Sequence, residues 1–194
     1  MKDELNRPQW ATPVDDISGL KPNHISTKQE LDLWEAENIL KAARKYLSKR
    51  RKITFNEQFV RKLHREMFSD TWEWAGRYRT SDFNIGVPSH LITGEIAGLC
   101  GDYDYRVKNG LDFFETVLMV HHRLVKIHPF VNGNGRHARL MGDILLYSTG
   151  SEPVKWPDRE MVENTGVRKQ YIEALKEADK GDYNPLKEFT LKYR

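Results

Sequence analysis

The chain has 194 residues, of which 39% are hydrophobic and 30% charged, and its lysines and arginines exceed its acids by three. That length suits one domain with a substantial core, and so mild a basic excess argues against a dedicated nucleic-acid binder. A single cysteine, Cys100, excludes an internal disulfide, while the lack of a membrane-length apolar run and of a signal-peptide-like start leads us to expect a soluble, cytoplasmic protein.

Residues 1–24, with Pro8, Pro13 and Asp15-Asp16, lack apolar periodicity and read as an extended arm that Trp10 could pin to the body; residues 25–194 read as one helical domain. Thr27-Lys28-Gln29-Glu30 is a capping box, and Leu31, Trp34, Ile39, Leu40, Ala43 and Leu47 follow at helical spacing. The densest basic run, Lys49-Arg50-Arg51-Lys52, suits a solvated helix end and a turn better than a nucleic-acid contact. Thr54-Phe55-Asn56-Glu57 reads as a second box, opening a helix with Phe59, Leu63 and Met67 every four residues. The rhythm fails over 69–91, where Trp72, Trp74, Tyr78 and Phe83 crowd around Gly76, Gly86 and Pro88; an irregular loop or short hairpin is expected there.

A third helix is expected from about Gly94. A fourth spans 111–127, with Phe114, Val117, Leu118, His121 and Val125 facing inward, and a fifth covers 136–147. A long helix over 159–178 and a short amphipathic tail, 186–191, complete an all-α pattern with little sign of a sheet. Cys100 has no activating neighbour, and His121, His122 and His137 read as structural.

Between the fourth and fifth helices lies the run His128-Pro129-Phe130-Val131-Asn132-Gly133-Asn134-Gly135-Arg136-His137-Ala138-Arg139. Pro129 disfavours the α basin for His128, so the fourth helix should stop there and leave the imidazole at its end. The glycines allow main-chain shapes closed to other residues, and the free amides of the loop and of the next helix's first turn should converge where the macrodipole favours an anion. Arg136 and Arg139, three apart, put two donor forks on one helix face. A histidine base beside a phosphate cradle suggests group transfer.

This run resembles the signature of the Fic family: His-Pro-Phe, any residue, Asp or Glu, Gly-Asn-Gly-Arg, two residues, Arg. Trp74-Ala75-Gly76-Arg77-Tyr78-Arg79 is similar to the segment before the family's target-binding flap, and residues 150–157 to the turn after its motif helix. Within the family the chain looks most like a compact bacterial subgroup called mobile mystery protein B, notably through Glu30-Leu31, residues 34–39 and Asn132. The resemblance implies a compact helical fold with a short β-hairpin flap, and a protein adenylyltransferase that moves AMP from ATP to a Ser, Thr or Tyr hydroxyl of a target protein. It implies His128 as general base, with Asn132, Gly133, Asn134, Gly135, Arg136 and Arg139 around the nucleotide phosphates. Phe130 becomes a buried anchor, and Asn84, Ile85, Gly86 and Val87 fall in the flap, aligning a target strand through main-chain bonds. Subgroup relatives further suggest a small DNA-binding companion protein.

At the position where relatives carry an acid for Mg²⁺, this chain has Asn132, a neutral oxygen and a weaker ligand for Mg²⁺ or Mn²⁺. A Fic-fold binding module without turnover is therefore an alternative to the enzyme, and a DNA-associated accessory protein using residues 49–52 is a third reading. Glu37-Asn38 resembles the tail of the family's inhibitory pattern, implying that Glu37 pairs with Arg139, although Leu33 stands where that pattern has a hydroxyl.

Overall fold

A computed structural model describes residues 18–162 and 166–194. Helix α1 (Lys28–Leu47) starts at the predicted capping box: Thr27 accepts from the Glu30 amide, and the Glu30 carboxylate accepts from the amides of Ser26 and Thr27. Those backbone donors pull the Glu30 carboxyl down to about 2. Its buried stripe is Leu31, Glu35, Asn38, Ala42 and Tyr46, so an acid and an amide sit where the periodicity asks for apolar groups. Helix α2 (Glu57–Phe68) begins two residues later than its apparent box, because Asn56 and not Thr54 accepts from the Phe59 amide at 2.8 Å.

Residues 69–88 form turns and bends. The expected β-hairpin is not formed among the described residues, where the one extended pairing is an isolated bridge between Leu20 and Trp72. The physical reason lies in where the amides go: Arg79 N–H reaches Pro129 O (2.9 Å) and Val87 N–H reaches Ile127 O (3.3 Å), so this segment bonds to the loop after α4 rather than across itself. The predicted arm 1–24 enters at its end, where Gly19 O accepts from Glu73 and Lys21 N–H donates to Thr71 O; residues 1–17, including Trp10, lie outside the described residues.

A 3₁₀ turn (Ser89–Leu91) leads into α3 (Ile92–Lys108), slightly ahead of its predicted start, and Asp112 caps α4 (Phe113–Ile127). Helix α5 (Asn134–Ser148) buries every residue from 137 to 146, which marks it as the central rod of the molecule. The main core gathers α1 to α5 around Phe68, Phe130, Leu124 and Met141. Each such side chain contributes about 1.5–3 kcal/mol when taken from water.

Within the expected helix over 159–178 the described residues form α6 (Asp158–Val162) and α7 (Gly166–Asp179), and residues 163–165 lie outside them. Arg168 Nη1 donates to Met161 O (2.7 Å), joining the two. With α8 (Asn184–Leu191) they build a second cluster of Met161, Tyr171, Leu175, Leu186 and Phe189 against Leu118 of α4. In the exposed basic run after α1, Arg50 donates to Gly150 O (2.9 Å) and lies over the Tyr147 ring, and Arg51 donates to Lys45 O. Trp72 and Trp74 stack at 4.9 Å inside the fold, as packing, and no described helix is long and apolar enough to cross a membrane.

Candidate active site

Helix α4 ends at His128, whose N–H still bonds Leu124 O while its backbone turns left-handed (φ 53, ψ 58). It is the only non-glycine residue with positive φ among those described. As expected before Pro129, it leaves the right-handed helical basin, and it does so in the turn-ending shape usual for glycine after a helix, at a cost of roughly 1–2 kcal/mol. One ring nitrogen bonds the Val125 backbone and Nε2 has no partner, so Nδ1 carries the hydrogen and Nε2 presents its lone pair. Burial lowers the imidazole to about 4 against the pull of that backbone bond, and the Arg79 charge lowers it further. The ring is neutral at physiological pH, as a base must be.

The loop that follows is closed by its own side chains. Asn134 accepts from Phe130 N–H and donates to Phe130 O, both at 2.9 Å, a two-point clamp that uses the whole amide. Its predicted phosphate contact therefore falls to the main chain. Asn132 Oδ1 accepts from the Gly133 amide at 2.6 Å, which ties up both the predicted metal oxygen and one predicted phosphate donor. Gly133 has φ 78 and a Cβ there would overlap the Phe68 ring, so only glycine fits. Gly135 needs no special backbone. From Asn134, α5 starts with first-turn amides that lack intrahelical acceptors, at the positive end of its dipole.

His64, which the sequence reading overlooked, supports the loop from below. The Gly76 amide donates to its Nδ1 at 3.0 Å, so Nε2 must carry the hydrogen that reaches Asn132 O at 3.0 Å, and the ring stacks on Phe130 at 3.7 Å. Burial drives this histidine well below its usual pKa. The available signal was its place in the α2 stripe Val60, Leu63, His64, Met67.

Arg136 and Arg139 diverge. Arg136 Nη1 bonds Glu35 Oε2 at 2.6 Å and its guanidinium lies over Phe68, whereas Arg139 reaches Asp158 at 3.4 Å. The Glu37–Arg139 pair is not formed: Glu37 is 65% exposed and lies 4.0 Å from Lys41, one turn along α1. The acid that meets a motif arginine is Glu35, 5% exposed, which also accepts from Trp72 Nε1 at 2.6 Å. Its signal was register, since it shares the buried stripe that Glu37 misses.

In the flap, Phe83, Ile85 and Val87 are half-buried while Asp82, Asn84 and Gly86 are exposed, a period of two without a ladder. Among the described residues no three His, Cys, Asp or Glu side chains converge as a metal site, and the Asn132 oxygen is engaged. The residues present do not build a protein-held Mg²⁺ or Mn²⁺ site. His121 (to Tyr171, 2.7 Å), His122 (to Asp179 and Tyr183) and His137 (to Val60 O, 3.0 Å) are buried structural groups, and burial pushes the Cys100 thiol up to about 11.

A helical domain whose central rod begins at a glycine loop, with a neutral imidazole at the end of the preceding helix, sets a proton acceptor beside a helix N-terminus of the kind that favours an anion. Residues 54–146 match the Fic/DOC family, and the chain belongs to that family through this domain. Among curated proteins it is 32% identical over 136 residues to the protein adenylyltransferase Fic of Drosophila mojavensis, covering 67% of this chain and 26% of that protein. It is 29% identical over 123 residues to protein adenylyltransferase fic-1 of Caenorhabditis elegans, covering 61% and 23%. The chain thus spans about a quarter of the length of these relatives. Among solved structures, the translocated effector BepC of Bartonella tribocorum, with bound AMPPNP, superposes with a TM-score of 0.70 at 20% identity over 94% of this chain and 95% of that one. C. elegans Fic-1 gives 0.69 at 22%, over 91% and 52%.

Proposed function

We propose that this chain is a protein adenylyltransferase that moves AMP from ATP to a hydroxyl of a Ser, Thr or Tyr side chain on a target protein. The observation that carries it is the buried, unpartnered Nε2 of a neutral His128 next to the amide-rich start of α5. The names of the curated relatives and the nucleotide in the BepC structure support the substrate. In the reaction Nε2 takes the proton of the target hydroxyl as its oxygen attacks the α-phosphorus. The bond from that phosphorus to the bridging oxygen breaks, and pyrophosphate leaves. First-turn amides of α5, including that of Gly135, hold phosphate oxygens, and Arg136 and Arg139 offset charge along the chain. Both arginines already hold acids, so nucleotide must share or displace Glu35 and Asp158. Asn84 to Val87 align the target segment by main-chain bonds. Mg²⁺ or Mn²⁺ enters only as the counter-ion that ATP brings, and no residue here is assigned to it.

The test is incubation with α-labelled ATP, comparing the native chain with His128→Ala and Asn132→Asp. Covalent label that disappears with His128 supports the enzyme. Saturable ATP binding with no label in the native chain overturns transfer and leaves a nucleotide-binding module, the reading favoured by the internal engagement of Asn132.

A further inference from the structure

Arg79 stands between Gly76 and the flap with its side chain 1% exposed, and its ion pair with Asp82 Oδ1 is long, at 3.9 Å, beyond hydrogen-bond reach. Its partners are carbonyls. Nε donates to His128 O at 2.8 Å, Nη1 to Ser81 O at 2.8 Å, and Nη2 to Val87 O and, at 3.5 Å, to Ile127 O. Two of these belong to the C-terminus of α4, where carbonyls lack intrahelical donors and the macrodipole is negative. The other two bracket the flap. A buried cation held by dipoles from two segments ties those segments together, and charge-assisted bonds are about twice as strong as neutral ones.

Two independent contacts lie at the same seam. Val87 N–H bonds Ile127 O at 3.3 Å. Gly86, at φ 90, comes so near that a Cβ would sit 2.6 Å from His128 Cβ and 3.0 Å from Ile127 O. The flap thus rests directly on the backbone that carries the base, with Arg79 beneath both.

We propose that Arg79 is a positioning residue that fixes the flap against the end of α4 and thereby sets where an acceptor hydroxyl meets His128 Nε2. The last step rests on the transfer reading above; the clamp itself does not. Lysine cannot replace it, because three donors on one nitrogen do not span carbonyls that a planar fork reaches in several fixed directions. The clamp touches neither motif arginine nor the first turn of α5, so its loss should spare nucleotide binding.

The experiment uses the full chain as Arg79→Lys and, separately, Gly86→Ala, whose methyl would meet Arg79 Nη2 at 2.8 Å and His128 Cβ at 2.6 Å and so force the seam apart. ATP affinity is read by calorimetry, amide exchange at Val87 by NMR, and transfer as the maximal rate of self-labelling from α-labelled ATP. Expected for each folded variant is an ATP Kd within about twofold of the native value. Val87 exchange should be about tenfold faster or more, since local opening sets protection. Self-labelling should be about a hundredfold slower, the scale of a 1 Å misplacement. Unchanged Val87 exchange overturns the proposal, as does unchanged labelling or an ATP affinity that weakens in step with labelling. A native chain with no His128-dependent label sinks the transfer reading, and Val87 exchange then decides the clamp alone. Should Arg79→Lys fail to fold, Gly86→Ala carries the same decision.

Discussion

His122, buried within α4, and His128, at its C-cap, differ in one respect. His122 has both ring nitrogens engaged, Nδ1 with the Tyr183 hydroxyl at 2.9 Å and Nε2 with Asp179 at 3.0 Å, whereas His128 binds through one nitrogen and leaves the other buried without a partner. Burial lowers the pKa of both, so a shifted pKa does not separate a catalytic histidine from a structural one. Position does: the unpartnered nitrogen of His137 lies within α5, whereas that of His128 lies at the end of α4 beside the glycine loop. His122 joins α4 to α7 and α8; His128 faces the loop and the flap.

The sharpest way to break this contrast is to remove each ring in turn. His128→Ala should lower self-labelling by about a thousandfold, the usual scale for a general base, with little change in thermal stability. His122→Ala should leave the rate per folded molecule near native and cost about 1–3 kcal/mol of stability in chemical denaturation, because Asp179 and Tyr183 lose a buried partner. Equal loss of activity in the two variants would erase the distinction.

A pH series sharpens it further. His121 is held to about 3 and His128 and His137 to about 4, while in the unfolded chain they titrate near 6.5. Between these values the unfolded chain binds protons that the folded one does not, so stability is full above pH 6.5 and falls as pH drops towards 4, by about 1.4 kcal/mol per unit for each such group. Asp143 opposes this, since burial raises its carboxyl to about 7 and the fold then binds the proton first. Three histidines against one aspartate leave a net loss on acidification. Denaturation midpoints should therefore fall from pH 7 to pH 5, while transfer per folded molecule stays nearly flat until His128 itself titrates. An acid limb in activity near 6.5 would show the imidazole solvated.

The smallest effect applies the same contrast to carboxylates. Glu35 engages Arg136 and Glu37 engages little beyond solvent, so Glu35→Gln should tighten ATP binding by about three- to tenfold and Glu37→Gln should change it less than twofold. Calorimetric titration separates these outcomes. The reverse order would restore Glu37 as the restraining acid.

What could be read from the residues was mostly local. Thr27 with Glu30 and the stop at His128 follow from bonds or strain within a few positions, while the buried anchor Phe130 was implied by the family resemblance. The site's tertiary settings were not legible in that way. Asn134 turns onto Phe130 instead of a ligand, and Glu35 rather than Glu37 meets the motif, because stripe register and not family spacing decides which acid points inward. The hairpin failed for a related reason: Arg79 and Ile127 offered the segment stronger partners than its own opposite edge.

The Asn134 clamp closes over four positions, while the Arg136–Glu35 contact closes over 101. Ring closure within a single turn costs little chain entropy, and a hundred-residue loop costs far more. During folding the cradle can thus acquire its shape early and on its own, while its electrostatic setting waits for the amino-terminal helix to dock. An early intermediate would hold a correctly shaped loop whose arginine is still unrestrained.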